Sequence, residues 1–255
     1  MGSSRLTKEV IFRVDVCVPT GSFWLNRLHV NLGHLNYLDR ILLLMRDNGI
    51  RATFMFVPHR TIPGEELVGE IRDLGSEIAL HADEVDPIKL ASQREQMTAV
   101  VGEKVVGISY HGRDLSDLII HKLTRKTRYI SYHNPFVSLQ AGFEYDVSGF
   151  SLDRPRFLSY AGRRILLFQP CVDITSQSQS RQVDERMFGD HISVLLIHPF
   201  LLGRYGLRKS RMDEVDGMFN YVRKKEFVIR TCKDVLREIC QGKDTDISGE
   251  TGQGF

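Results

Sequence analysis

The apolar positions of the chain change period in a regular order. Val10-Ile-Phe-Arg-Val-Asp15 is β-branched and aromatic and predicts a first strand. Leu35 to Asn48 carries apolar side chains at 35, 38, 41, 42, 44 and 45, the spacing of one helix face, and Gly49 stands at the C-cap position. Ile50 to Val57 reads as a second strand closed by Pro58, Glu65 to Leu74 as a short helix stopped by Gly75, and Ile78-Ala-Leu80 as a third, buried strand. The alternation continues with a helix over Pro87 to Val101, a strand over Val105 to Tyr110, a helix over Asp114 to Thr127 and a short strand over Tyr129 to Tyr132. Strands and helices alternating at this pace need crossover connections, so the sheet is expected to be parallel.

Leu139 to Ser159 breaks the rhythm and is expected to be irregular, yet its aromatic residues Phe143, Tyr145, Phe150 and Phe157 argue for order and for a role beside a site. Arg164 to Pro170 then reads as a strand, and Ser176-Gln-Ser-Gln-Ser180 as a polar loop able to cover a site. A very apolar strand, Ser193 to Ile197, follows, then a helix over Asp213 to Lys225, a strand over Phe227 to Arg230 and a closing helix over Lys233 to Cys240. The chain has 255 residues and no internal repeat. The leading organisation is one domain over residues 1–241 with a disordered tail over 242–255, and two small domains are the runner-up.

Four of the strands end on ionisable side chains: Asp15, His81 with Asp83, Glu84 and Asp86 close behind it, His111, and His198. An open doubly wound sheet gathers such residues at its switch point, whereas a barrel collects them at the end of nearly every strand. The pattern therefore favours an α/β fold built as a distorted (β/α) barrel with mostly parallel strands.

Composition narrows the function. A net charge of +2 from 34 basic and 32 acidic residues offers no field for nucleic acid or an anionic membrane. No apolar run is long enough for a membrane span, and the N-terminus lacks the apolar core of a signal peptide. The four cysteines have no paired spacing, which speaks against a zinc ribbon or disulfide scaffold and for a soluble protein of a reducing compartment such as the cytoplasm. Gly-rich phosphate loops and a Gly-x-Ser-x-Gly elbow are both missing. What remains is Asp15, His81, His111 and His198, the donor types a zinc-like divalent ion prefers, together with an acid/base pair, which is hydrolytic chemistry. Trp24, the only tryptophan, is either a packing plug or the floor of a sugar subsite. His29, His34, His59, His121, His133 and His191 have no claim beyond that of ordinary hydrogen-bonded imidazoles.

The succession Arg13-Val-Asp15, Gly49-Ile-Arg-Ala-Thr-Phe-Met-Phe-Val57, Gly75-Ser-Glu-Ile-Ala-Leu-His81 and Leu195-Leu-Ile-His198 resembles the polysaccharide deacetylases of the NodB homology type, over about residues 9 to 240. The usual members carry two adjacent aspartates after the first strand and two histidines at i and i+4. Here Asp15 is followed by Val16, and Val85 stands four residues after His81. A divergent branch, similar to proteins of surface-polysaccharide gene clusters, matches better through Arg13-Val-Asp15, His81-Ala-Asp83, His111-Gly112, Tyr145-Asp146 and His198-Pro199.

The resemblance implies a deacetylase-type barrel and a metal-dependent hydrolase that removes an acetyl group from an N-acetylated sugar, on a nucleotide- or lipid-linked intermediate of surface-polysaccharide (O-antigen-like) biosynthesis. One divalent ion, zinc before others, is expected on Asp15, His81 and His111 at the strand ends, and the family's usual metal triad carries over only through His81. Asp15, His198 and Asp146 would be catalytic, with His198 donating a proton to the leaving amine. Arg13, Trp24, Asp83, Gly112, Arg113 and Tyr145 would contact substrate. Two other readings stay open: a degenerate carbohydrate-binding member of the fold, and a metal-free cyclic-amide hydrolase, as some relatives are.

Overall fold

The computed structural model describes residues 8–17, 35–110, 128–129, 133–175, 192–199 and 210–241, with Phe188 and Leu202 besides. In these the chain forms β1 (Glu9–Val16), α1 (Leu35–Asn48), β2 (Thr53–Phe56), α2 (Glu65–Asp73), β3 (Glu77–Ala82), α3 (Pro87–Val101), β4 (Gly107–Tyr110) and β5 (Arg128–Tyr129). There follow α4 (Pro135–Gln140), β6 (Tyr145–Asp146), β7 (Arg156–Tyr160), β8 (Arg163–Leu167), β9 (Cys171–Asp173), β10 (Ile192–Ile197), α5 (Ser210–Lys224), β11 (Val228–Arg230) and α6 (Cys232–Cys240). The strands make one curled sheet in the order β5-β9-β10-β1-β2-β3-β4-β6-β8-β7, with β11 pairing β1. All pairs are parallel except β5 with β9 and the β7–β8 hairpin. This is a distorted (β/α) barrel, mostly parallel, as the spacing of strands and helices predicts.

β1 is the centre of the sheet. One of its edges pairs along its length with β10, from Glu9 opposite Ile192 to Val14 opposite Ile197. Its other edge is shared, with β11 at Glu9 to Ile11 and β2 at Arg13 to Val16. The two-residue period of a strand then sorts its side chains. Val10, Phe12, Val14 and Val16 face the helices, in a core that includes Leu38, Ile41, Leu42 and Met45 of α1. Ile11 faces the barrel interior with Met55, Ala79, Tyr145, Val147, Phe168, Val194 and Leu196. Arg13 and Asp15 have the parity of Ile11, so they are interior residues as well.

Local chemistry sets the element ends. Asp86 caps α3 by accepting from the backbone N–H of Ile88 and Lys89, Pro87 follows at the first turn, and Gly102 closes the helix at φ 71°. Thr231 and Asp234 form a capping box at α6. That helix closes the barrel at the end where the strands begin: Cys232, Val235 and Leu236 join the interior cluster. The N–H groups of Cys232 and Lys233 donate to Thr53 Oγ1 and to Glu77 Oε2.

The stretch expected to be irregular, Leu139 to Ser159, instead supplies the end of α4, β6 and most of β7. β6 has only two residues, too short for any period to show. The expected helix over Asp114 to Thr127, the Ser176–Ser180 loop and the tail from Gly242 lie outside the described residues. All four cysteines are free thiols, three of them buried. Among the described residues, no helix is long and apolar enough to cross a membrane.

Candidate active site

Register builds the site. Val14 pairs with Ile197, so the next residues, Asp15 and His198, stand level at the C-terminal ends of two adjacent strands. His81 has the interior parity of Ala79 on β3 and rises beside them. Asp15 Oδ2 lies 3.7 Å from His81 Nε2 and 3.8 Å from His198 Nε2. Two imidazoles thus converge on one carboxylate oxygen, at distances longer than a hydrogen bond.

Each of the three is held from behind. Arg13 Nε donates to Asp15 Oδ1 and Arg13 Nη2 to Asp15 Oδ2, both at 2.6 Å, and Arg13 Nη1 donates to the Val147 carbonyl, also at 2.6 Å. His81 Nδ1 is 2.7 Å from Ser109 Oγ on the neighbouring strand. His198 Nδ1 is 3.2 Å from Asp173 Oδ2, while Asp173 Oδ1 accepts from the N–H and hydroxyl of Thr175. The Thr175 hydroxyl in turn accepts from the His198 N–H. His81 and Asp15 side chains are 1% and 2% exposed, against 17% for His198, which is the most exposed of the three.

The electrostatics follow from this arrangement. Burial would raise the Asp15 carboxyl, but Arg13 beside it, then His81 and His198, more than offset that and bring its pKa from 3.8 to about 2. Burial would lower His198, yet the charge of Asp173 and its hydrogen bond, with Asp15 adding to them, raise its pKa above the usual 6.5. The pair is therefore a carboxylate held in its ionised form facing an imidazole whose protonated form is favoured.

Of the residues expected at the site, Asp15, His81 and His198 come together. His111, Trp24, Gly112 and Arg113 lie outside the described residues. Three expectations need correction. Arg13, expected on substrate, is 1% exposed and clamps Asp15. Tyr145, also expected on substrate, is fully buried at the opposite end of the barrel, its hydroxyl donating to Glu77 Oε1 at 2.5 Å. Its ring fills the place where a Cβ on Gly107 would stand, so β4 needs glycine there. Asp146, expected to be catalytic, has the opposite parity to Tyr145 and Val147 and faces the helix layer.

There Asp146 accepts from the N–H and hydroxyl of Ser148 and from Ser138 Oγ, and pairs with His133 Nε2 at 2.9 Å. Burial raises its carboxyl, but the charge and hydrogen bond of His133, with the two serines, bring it below the ordinary value. The segment around it meets Arg13 through the carbonyl of Val147. Asp83 sits at the rim, 3.1 Å from His59 Nε2 and 3.4 Å from Arg60 Nη2.

Asp173, Ser109, His59 and His133 were not singled out from the sequence. Asp173 ends β9, a three-residue strand with no periodic signal of its own. His133 and His59 find their carboxylates only through the tertiary fold.

No family model matches the sequence, and no curated protein matches it significantly. Solved structures do match over nearly the whole chain. A protein of Mycobacterium smegmatis assigned to the polysaccharide deacetylases superposes with a TM-score of 0.67 at 18% identity, over 100% of this chain and 97% of its own. The fold is that of the polysaccharide deacetylases. A Pseudomonas aeruginosa PAO1 protein with the same assignment gives 0.64 at 16% identity, over 94% of this chain and 92% of its own. The Puue allantoinase gives 0.63 at 15% identity, over 96% and 93%.

The deacetylase fold and the sequence both raise the question of a metal. The described donors do not fit one. Both oxygens of Asp15 are held by Arg13, Asp173 stands 3.2 Å from His198 Nδ1 and favours its protonated form, and among the described residues no group of three or more His, Cys, Asp or Glu side chains is placed to hold an ion.

Proposed function

We propose that the protein is a hydrolase that removes an acetyl group from an acetylated sugar. The observation that carries this reading is the convergence of His81 and His198 on Asp15, with Asp173 behind His198, at the C-terminal end of a deacetylase-type barrel. That is the end at which barrels of this kind keep their chemistry.

The side chains divide the work of hydrolysis. In the tautomer whose Nδ1–H donates to Ser109 Oγ, 2.7 Å away, His81 presents the Nε2 lone pair to the site and takes a proton from the attacking water. As the water oxygen bonds to the acyl carbon and the bond from that carbon to the leaving nitrogen breaks, the His198 Nε2–H delivers its proton to the nitrogen. Asp173 keeps that proton available, and Asp15, ionised throughout, stabilises whichever imidazole is charged. Asp15 itself is a poor base, because a carboxyl with a pKa of about 2 binds a proton too weakly to take one from water.

A second reading, hydrolysis of a cyclic amide, is favoured by a proton-transfer pair that stands, among the described residues, without a metal donor set, and by the fold shared with an allantoinase. The test is release of acetate from nucleotide-linked and oligomeric N-acetylhexosamines, run beside ring opening of allantoin and hydantoin. Acetate release should fall by about a hundredfold or more in His198→Ala with the fold retained by circular dichroism. Ring opening without acetate release would replace the first reading with the second. Sugar binding without turnover of either substrate class would leave a binding protein.

A further inference from the structure

We propose that the buried guanidinium of Arg13 is the built-in cation of this site: it neutralises Asp15 where a metal ion would otherwise do so, and Asp15 is a partner of Arg13 and not a metal ligand. The inference rests on the geometry of the pair, whatever the substrate.

A guanidinium 1% exposed is tolerated only if its donors are satisfied. Here two donors form a fork on the two oxygens of one carboxylate, the arrangement that matches both groups best. Arg13 and Asp15 are two residues apart on a strand buried from Val10 onward, so their side chains leave the same face of a backbone paired on both edges. The pair cannot drift apart without breaking β1 from its neighbours. The third donor goes to Val147, a carbonyl in a turn that Asp146 secures through the N–H and hydroxyl of Ser148. Two distant segments therefore build the cradle together. The His133, Ser138 and Asp146 cluster acts on the site by fixing that carbonyl.

An ion seeking Asp15 would meet a carboxylate already neutralised, with a fixed positive charge at hydrogen-bond distance in a poorly screened interior. It would have to displace the fork and leave a guanidinium buried and unpaired. Arg13 does not bind water as a metal does and stays charged at every accessible pH. Activation of water and of the leaving group then belongs to the imidazoles.

Zinc is the probe. Full-length wild type, Asp15→Asn and Arg13→Met are equilibrated with a small excess of zinc near neutral pH, freed of unbound metal, and analysed by mass spectrometry of the metal. Wild type should hold fewer than about one zinc in ten chains, or an amount that Asp15→Asn does not change, and treatment with a chelator should leave turnover within about twofold. Arg13→Met, where it folds, should bind zinc at least about tenfold more tightly than wild type, since it frees Asp15 beside His81. Stoichiometric zinc in wild type that disappears in Asp15→Asn overturns the proposal, and so does a folded Arg13→Met with no gain in affinity. Should Arg13→Met not fold, the first comparison decides alone. A missing acetyl hydrolase activity with the zinc result intact would sink the substrate reading and leave this assignment standing.

Discussion

His198 shows how a single residue's surroundings determine what it can do. Its pKa is raised because Asp173, and less strongly Asp15, outweigh burial. An acid of this kind loses activity as pH rises through its pKa. In Asp173→Asn the burial remains and the compensation goes, so the basic limb of the pH–rate profile should move to lower pH by about one unit or more. The same signs govern stability. The raised His198 contributes stability that is complete below its unfolded value of 6.5 and is lost as pH rises through the folded one. The lowered Asp15 contributes above its unfolded value of 3.8 and loses its contribution as pH falls through about 2. Both are in full force between 3.8 and 6.5, where thermal unfolding should give the highest midpoint. A midpoint that falls on neither side of that window in wild type, and that Asp173→Asn leaves unchanged inside it, would show that neither pairing matters to folding.

At the scale of elements, β6 separates two roles that the sequence ran together. Tyr145 faces the interior and Asp146 the helices, because neighbours on a strand point to opposite faces. Tyr145→Phe removes a hydroxyl that donates to the buried Glu77 carboxylate, so it should cost about 1–3 kcal/mol in denaturant unfolding with kcat and KM unchanged. A raised KM with unaltered stability would return Tyr145 to the substrate.

The long helices and the strands β1, β3 and β10 could be read from the sequence because their periods run for enough residues to be counted, and the bounds of α1 and α3 follow directly from Gly49, Pro87 and Gly102. β6 and β9 could not, since two or three residues carry no period. With them went the pairing of His198 to Asp173 and the true orientation of Asp146. Arg13 was visible as a residue two positions before Asp15, but that the two side chains face each other is a consequence of strand parity and burial together.

For the whole molecule, the sheet divides the interior into a layer against the helices and a filled barrel, and α6 closes the second. Thr231→Ala removes one half of the capping box and should cost about 1 kcal/mol. Truncation before Thr231 uncovers the interior cluster and leaves Glu77 without the Lys233 N–H, and cooperative thermal unfolding should be lost. A truncated chain that kept a sharp transition would show that the barrel closes without its plug.

The pairing of β1 with both β10 and β11 also bears on how the protein is made. Glu9 finds its sheet partners at Ile192 and Val228. A ribosome that has delivered Asp15 and His81 has delivered only the early part of the site, and the central strand must wait, with one edge unsatisfied, until the late strands emerge. The proposed constellation is therefore complete only late, when β10 brings His198 alongside Asp15. A partly synthesised chain has the dangers of an open strand edge and none of the chemistry.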